Sequence, residues 1–182
     1  MCAVAVFAGG CFWCLQKAYS GLDGVVDVKA GYTGGRLKNP TYQKVSTGLT
    51  GHFEAVKVLF EEDVVDYKVL LRIFWLNIDP GDPDGQFCDV GSQYRSAIFY
   101  TTDEQKRLAF RSKEILEEAC LFERPIATLI LPFEGFYDAE DYHQRYFEKY
   151  PKHYKQYYDF SGRACFFNKW RKQIDKILSE RL

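Results

Sequence analysis

This sequence has a formal net charge of only -1, no cluster of basic residues and no long apolar run. Its 24 lysines and arginines nearly balance 25 aspartates and glutamates, and it has no basic run that could neutralise a nucleic-acid backbone. The apolar stretch MCAVAVFAGGCFWC at positions 1–14 lacks a positively charged start, and Lys17 interrupts it before the roughly 20 residues that a membrane helix needs. We therefore expect no nucleic-acid partner, no secretory signal peptide and no membrane span.

What the chain does contain is typical of a folded globular protein. Of its 182 residues, 47% are hydrophobic and 27% are charged, whereas disordered chains lack this apolar content. The length favours a single domain over residues 1–182. Six cysteines without a secretory signal indicate a reducing compartment, because disulfides persist mainly in oxidising ones. We expect a cytoplasmic protein whose thiols are catalytic, metal-binding or structural.

Alternating strand-like and helix-like spacing of apolar residues predicts an α/β fold. The predicted strands lie at 3–8, from 25 into a glycine-rich loop ending at 35, and at 52–60, 94–100 and 126–132. The predicted helices follow the glycine pair up to about Tyr19, and lie at 66–78, 102–119, 139–150 and 166–182. The segments 79–92 and 151–165 are expected to be irregular.

The stretch GGCFWC at positions 9–14 places two cysteines at a strand-to-helix junction. The first turn of a helix exposes unpaired N–H groups and a partial positive charge, which stabilise a thiolate. We therefore expect a lowered pKa for Cys11, with Cys14 close enough to pair with it. Three interpretations stay open on these residues: a zinc site, a thioredoxin-like dithiol, and two buried structural thiols. A zinc site would need two further ligands, and the remaining cysteines are widely scattered.

One acidic residue has an unusual position in the predicted strand HFEAVKVLF. Period-two spacing places Glu54 on the same face as Val56, Val58 and Phe60. A carboxyl group on an apolar face has a raised pKa and can donate a proton near neutral pH. A thiolate beside such a group would make a nucleophile with its general acid. Taken alone, Glu54 fits an exposed charge on an edge strand as well.

Five motifs in order carry a resemblance to a known family. They are GGCFWC, GYTGG followed by NPTY, GHFEAV, FCDVGSQYRSAIFY and FYDAEDYHQRYF, and their spacing is similar to that of the A-class peptide methionine sulfoxide reductases. The similarity extends over about residues 5–167. It implies a two-layer α/β sandwich around a mixed sheet with a ferredoxin-like core. It also implies an enzyme that reduces methionine S-sulfoxide, free or in peptides, to methionine.

The resemblance implies a role for each matching residue. Cys11 is the expected nucleophile that attacks the sulfoxide sulfur. Phe12 and Trp13 are the expected walls of a pocket for the substrate methyl group. Glu54 is the expected acid that protonates the sulfoxide oxygen.

Three more residues are expected beside these four. Tyr42 of NPTY and Tyr94 of QYRS resemble the family's hydrogen-bond donors, and Asp89 matches a polar residue near the same site. Donors aimed at an oxygen stabilise the negative charge that develops on it, in the manner of an oxyanion hole. No metal site and no bound cofactor are expected.

A second cysteine is implied for the end of the reaction. Cys11 becomes a sulfenic acid, a second thiol converts it to a disulfide, and an external dithiol, thioredoxin in this family, reduces that disulfide. Many relatives carry recycling cysteines in a glycine-rich tail, whereas this chain has DFSGRACFFNKW and a helix over about 166–182. Cys165 ranks first as the resolving cysteine, closely followed by Cys14, and Cys88 could also serve.

The remaining candidates receive no catalytic role. Cys2 and Cys120 are unassigned, His52 and His143 are expected to be structural, and His153 is expected to be exposed. A general disulfide exchanger and a zinc-binding module remain as alternative functions. We expect a monomer.

Overall fold

Six strands form one mixed sheet in the computed structural model, which describes residues 1–182. The strands of the chain are β1 (Cys2–Gly9), β2 (Val25–Thr33), β3 (Phe53–Glu61), β4 (Gly85–Gln86), β5 (Asp89–Val90), β6 (Ser96–Tyr100), β7 (Leu129–Pro132) and β8 (Phe136–Asp138). The helices are α1 (Phe12–Tyr19), α2 (Tyr42–Val45), α3 (Tyr67–Trp75), α4 (Asp103–Glu118), α5 (Tyr146–Lys149), α6 (Pro151–Phe160) and α7 (Arg163–Arg181). A 3₁₀ turn spans Ser92–Tyr94, and β4 and β5 form a separate small hairpin.

The expected ferredoxin-like core is confirmed by the strand order. The sheet runs β7-β6-β1-β3-β2-β8, with β6 and β7 parallel and every other neighbouring pair antiparallel. The sequence β1-α1-β2-β3-α3-β6 therefore makes the four central strands β6-β1-β3-β2, which is the ferredoxin-like arrangement. β7 and β8 extend this core at its two edges.

The connection between β7 and β8 forces the sheet to curl. These strands lie at opposite edges, yet only residues 133–135 separate them. Those residues span at most roughly 14 Å, whereas a flat six-stranded sheet would separate its edge strands by roughly 24 Å. Small side chains make room for the curl, since Ala8 pairs with both Ala55 and Ala97. These alanines belong to the smaller apolar cluster, on the face away from the helices.

The helices cover the other face of the sheet and build the main core. Phe7 stacks on Tyr19 of α1 and on Phe74 of α3, both at 5.3 Å between ring centroids. α3 begins at the expected cap, because the Asp66 carboxylate accepts the Lys68 N–H at 2.8 Å. The cap of α4 is also as expected, since Thr102 accepts the Gln105 N–H. None of the helices combines the length and apolar character that a membrane crossing requires.

The expected helix over 139–150 is wrong for most of its length. Only α5 is helical there, and turns precede it. The cause is the Gln144 amide, which bonds to the N–H of Ala30 at 3.0 Å and to its C=O at 2.9 Å, as a neighbouring strand would. Arg145 then adopts a left-handed conformation, with φ +51°, before α5 starts.

The expected irregular segment 151–165 is also wrong, because it contains α6 and the start of α7. Pro151 occupies the first turn of α6, where its missing N–H costs nothing. The predicted C-terminal helix is present and begins a few residues earlier than expected. β8 has no counterpart in the sequence prediction, and the expected loop over 79–92 holds only the β4–β5 hairpin.

Candidate active site

A turn at Gly10 places Cys11 at the start of α1. Gly10 has φ +78°, and a Cβ there would lie 2.6 Å from the Cβ of Gln86, so no other residue fits without displacement. Cys11 is the N-cap residue of α1 and is 6% exposed. The expected strand-to-helix junction is therefore confirmed.

Glu54 on β3 faces this helix start. Its side chain is buried, and its Oε2 accepts the Phe12 N–H at 3.2 Å, which satisfies one of the free donors of the first turn. Burial raises the pKa of Glu54 to about 8, although the Phe12 hydrogen bond opposes the rise. The expected buried acid is confirmed, and its other oxygen is left to carry the proton at neutral pH.

One small cavity of about 110 Å³ gathers the predicted site residues. Its lining consists of Cys11, Phe12, Trp13, Tyr42, Glu54, Asp89, Tyr94 and Tyr157. Seven of these eight are residues that the sequence motifs single out, and Tyr157 from α6 is the addition. A volume of this size is enough for a group of a few heavy atoms.

Two tyrosine hydroxyls accompany the acid. Burial, reinforced by the Glu54 charge, raises the pKa of Tyr42 to about 12 and raises that of Tyr94 further. A hydrogen bond from Tyr94 partly offsets the rise for Tyr42. Both phenols therefore keep their protons. Tyr42 is fixed at the start of α2 because its N–H donates to the Glu140 carboxylate at 2.8 Å.

Aromatic rings form the second wall of the cavity. Trp13 stacks on Tyr146 with ring centroids 3.8 Å apart, and its indole N–H donates to Nδ1 of His143 at 3.2 Å. The His143 ring also packs 5.0 Å from Phe12 and 4.4 Å from Tyr42. The cavity residues Phe12, Trp13 and Tyr42 therefore all contact His143.

His143 is neutral in this arrangement. Its Nδ1 accepts a hydrogen bond, so its proton is on Nε2, and burial lowers its pKa. The expectation of a satisfied structural histidine is wrong in one respect, because the buried Nε2 has no partner. His52 does fit that expectation, with its two ring nitrogens bonded to the N–H of Gly35 and the C=O of Leu37. His153 is exposed, as expected.

The two thiols of the C-x-x-C motif differ in their pKa values. The pKa of Cys14 falls to about 7, and the neighbouring Cys11 thiol is the largest cause. The charge of Arg163 and the Tyr154 hydroxyl, which lies 3.7 Å from Cys14 Sγ, lower it further. Burial and the Cys14 charge raise the pKa of Cys11. The expected lowering for Cys11 is therefore wrong, because burial and the neighbouring Cys14 raise its pKa instead.

The C-terminal helices close the cavity with a buried ion pair. Arg163, at 1% exposure, donates to Asp89 at 3.1 Å and to the Tyr157 hydroxyl at 2.8 Å. Tyr157 in turn donates to the same Asp89 oxygen. The three groups hold α6 and α7 against β5.

The six cysteines are all free, and only Cys11 and Cys14 are buried. Cys165 is exposed on α7. Cys88 is exposed as well, with its thiol 3.8 Å from the Asp89 carboxylate. The structure thus brings Cys14 into contact with Cys11 and leaves the other candidates at the surface.

The sequence left open which of Tyr154, Tyr157 and Tyr158 approaches the pocket, and sequence reasoning missed that a helix carries them. Tyr154, Tyr157, Tyr158 and Ser161 recur at helical spacing after Pro151, and that pattern could have revealed a helix facing the site. Arg163 carries no comparable signal. No three His, Cys, Asp or Glu side chains are grouped as a metal site would require.

Comparison with known proteins decides the family. The model of the family "Peptide methionine sulfoxide reductase" matches residues 3–174. The chain belongs to this family. It is 52% identical over 165 residues to the peptide methionine sulfoxide reductase MsrA of Bacillus subtilis, covering 91% of this chain and 93% of that protein.

Solved structures of the same family share the fold. Mxr1 of Saccharomyces cerevisiae in its reduced form superposes with a TM-score of 0.75 at 32% identity, over 83% of this chain and 87% of that one. Mxr1 in complex with Trx2 superposes with a TM-score of 0.54 at 25% identity, over 80% and 84%. The chain is thus an oxidoreductase, a peptide methionine sulfoxide reductase that works by thiol chemistry.

Proposed function

We propose that Cys11 is the nucleophile and Glu54 the general acid of this reductase. The observation that carries the proposal is the shared cavity, in which a thiol, a carboxyl group with a pKa of about 8 and two tyrosine hydroxyls converge. The Cys11 sulfur attacks the sulfoxide sulfur while Glu54 protonates the sulfoxide oxygen. The oxygen is then transferred to the Cys11 sulfur: a Cys11 S–O bond forms while the substrate S–O bond and the transient bond between the two sulfurs break. The substrate leaves as a sulfide, Cys11 becomes a sulfenic acid, and the proton of the Cys11 thiol returns to Glu54.

Tyr42 and Tyr94 stabilise the oxygen as its negative charge develops. Support comes from their raised pKa values, which keep both hydroxyls protonated beside Glu54. Each preorganised donor of this kind contributes about 3 kcal/mol to the stability of a transition state.

Phe12 and Trp13 receive the substrate methyl group, and Asp89 with Tyr157 borders the opening. Support comes from the small volume of the cavity and from its aromatic wall. The substrate is methionine S-sulfoxide, either free or in an exposed part of a peptide. His143 positions the wall because it holds the Trp13 indole by a hydrogen bond.

Cys14 resolves the Cys11 sulfenic acid, which reverses the order expected from the sequence. Support comes from the proximity of the two residues, since the Cys14 N–H donates to the Cys11 C=O at 3.1 Å, and from the lowered pKa of Cys14. Cys165 and Cys88 are exposed, so either would have to move to reach Cys11. The resulting disulfide lies within one turn of α1.

A thioredoxin-like dithiol then restores both thiols. Support comes from the relative Mxr1, for which a complex with Trx2 has been solved. We place the protein in the cytoplasm, where its free thiols would stay reduced. The whole chain acts as one catalytic domain and as a monomer, because a single chain supplies every residue of the cavity, from β1 to α6.

The decisive experiment is turnover of methionine S-sulfoxide by Cys11→Ser. The variant is expected to keep the fold and lose activity, whereas Cys120→Ser, at an exposed thiol outside the cavity, is expected to retain it. Activity in Cys11→Ser would remove this residue from the mechanism. Insulin reduction without any sulfoxide tests the alternative of a general disulfide exchanger, and turnover comparable to sulfoxide reduction would favour that alternative.

A further inference from the structure

Tyr154 on α6 contacts the Cys14 thiol and lies outside the lining of the substrate cavity. It is 4% exposed, and its hydroxyl donates to Cys14 Sγ at 3.7 Å. It does not line the substrate cavity, so it has no role in the proposed reduction of the sulfoxide. The Lys17 ammonium lies over its ring, 4.7 Å from the centroid, and fixes the ring from the solvent side.

Arg163 brings a positive charge into the same region. Its guanidinium is almost fully buried and is bonded to Asp89 and to the Tyr157 hydroxyl. One terminal nitrogen packs against Gly10, because a Cβ at that glycine would lie only 3.0 Å from it. Gly10 directly precedes Cys11, so the cation sits at the turn that presents the nucleophile. Its Nε is buried without a partner.

The donors around Cys14 change during the reaction. In the resting pair the S–H group of Cys11 is the largest cause of the lowered pKa of Cys14. Oxidation of Cys11 to a sulfenic acid removes that S–H group. Tyr154 and Arg163 are then the groups of the chain that favour the Cys14 thiolate, against burial and the Asp89 charge.

We propose that Tyr154 is a positioning residue of the resolving step, whose hydroxyl holds the Cys14 sulfur ionised and aimed at Cys11, with Arg163 as the balancing charge. The proposal rests on the assignment of Cys14 as the resolving cysteine. In relatives with a flexible tail, the tail brings the second cysteine to the site. Here the second cysteine is Cys14, which is already beside Cys11, and the C-terminal helices support its thiolate.

The step balances without an outside oxidant. The Cys14 thiolate attacks the Cys11 sulfenic sulfur, an S–S bond forms and the S–O bond of the sulfenic acid breaks. The oxygen leaves as hydroxide and takes up one proton to become water. Both oxidising equivalents came from the sulfoxide in the preceding step.

The test compares Tyr154→Phe with Tyr158→Phe under single turnover without reductant. Tyr158 lies one turn further along α6, is half-buried and makes no hydrogen bond through its hydroxyl, so it is a matched control. Methionine release and loss of two thiols are followed separately after one equivalent of sulfoxide. In Tyr154→Phe, disulfide formation is expected to be at least tenfold slower relative to methionine release, because the variant loses a hydrogen bond to a charged group. Tyr158→Phe is expected to show no such change.

A second measurement detects the contact directly. In a background that carries both Cys2→Ser and Cys11→Ser, the pH midpoint for alkylation of Cys14 is expected to rise by about one unit in Tyr154→Phe. It is expected to rise in Arg163→Met and to rise less in Arg163→Lys, which keeps the charge. The peptide 1–17 reports Cys14 by mass, and circular dichroism shows that each variant is folded.

The outcomes separate the two proposals. A disulfide that still forms in Cys14→Ser would overturn the resolving role of Cys14 and, with it, that of Tyr154. If Cys14→Ser blocks the disulfide while folded Tyr154→Phe forms it at the wild-type rate, the inference about Tyr154 alone fails. An unchanged alkylation midpoint in Tyr154→Phe would contradict the inference as well.

Discussion

At the scale of single residues, the burial of Glu54 and the groups around Cys14 together invert the usual order of acid strength in this site. A carboxyl group is ordinarily a far stronger acid than a thiol. Here Glu54 has a pKa of about 8 and Cys14 a pKa of about 7, so near neutral pH the carboxyl group keeps its proton while the thiol pair holds a charge. The site thereby provides an acid for the sulfoxide oxygen together with an ionised sulfur.

The first prediction concerns the proton of Glu54. We expect Glu54→Ala to lose nearly all sulfoxide reduction, by roughly 100-fold or more, because the oxygen loses its acid. Glu54→Gln is expected to retain some activity, since its amide N–H still donates a hydrogen bond. Initial rates with methionine S-sulfoxide measure both.

The pH profile provides the control for this prediction. Glu54 loses its proton as the pH rises through about 8, so the wild-type rate should fall above that pH. Glu54→Gln has no group to ionise there and should lack the fall. Equal, wild-type-like rates in the alanine and glutamine variants would contradict the acid role.

The second prediction concerns His143 and the Trp13 wall. His143→Phe keeps a ring but removes the acceptor, whereas His143→Asn keeps an acceptor near the position of Nδ1. We expect His143→Phe to raise KM roughly fivefold, the value of one hydrogen bond, with a smaller change in kcat. His143→Asn should restore much of the loss. Unchanged KM in His143→Phe would show that Trp13 needs no such support.

Prediction from the sequence succeeded for residues whose side-chain orientation follows from the alternation of a β-strand. The alternation along β3 places Glu54 on the helix-facing side, and its buried state and raised pKa follow. The pKa of Cys11 was predicted to be lowered, but it is raised. The prediction considered only the helix terminus, whereas burial and the Cys14 charge act in the opposite direction. Arg163 could not be predicted, since only the tertiary fold brings it to Asp89.

At the scale of elements, strands and capped helices were predictable and the connections were not. Asp66 and Thr102 mark helix starts by their own side chains, so local sequence determines them. Gln144 instead pairs with the backbone of Ala30, far away in sequence, and this contact overrides a helical pattern. β8 is paired only by β2 and has no local signal of its own.

The third prediction tests the turn between β1 and α1. Gly10→Ala and Gly21→Ala both place an alanine at positive φ, but a Cβ meets Gln86 at 2.6 Å in the first case and nothing within 4 Å in the second. We expect Gly21→Ala to cost about 1 kcal/mol of unfolding free energy and to keep full activity. Gly10→Ala should cost at least about 2 kcal/mol and lower activity strongly. Urea titrations measure the two, and equal losses would refute the steric argument.

At the scale of the whole molecule, the cavity joins distant parts of the chain. Cys11 lies at the start of α1, Glu54 on β3, and Tyr157 on α6. The β7–β8 connection curls the sheet, and α6 and α7 are held across the site by the Asp89–Arg163 pair. Burial of Glu54 is a property of this assembly, so it should be visible in the stability of the fold.

The fourth prediction is that stability depends on pH through Glu54. Its folded pKa, about 8, exceeds its ordinary value of 4.5, so the folded state binds the proton more tightly than the unfolded state. The contribution is present below 4.5 and is lost as the pH rises towards 8. The loss is on the order of 4 kcal/mol. Urea unfolding between pH 5 and pH 8 should show a decline that is smaller in Glu54→Gln, and parallel declines would contradict the shift.

The central claim is that oxygen passes from the substrate to Cys11 and that Cys14 closes the cycle. The most direct measurement is the mass of the protein, in a Cys2→Ser background, after one equivalent of methionine S-sulfoxide without reductant, followed by tryptic mapping. We predict one methionine released per chain, a loss of two hydrogen atoms, and an internal disulfide between Cys11 and Cys14 within peptide 1–17. A disulfide joining that peptide to the one that contains Cys165, or oxidation that leaves Cys11 untouched, would contradict the account.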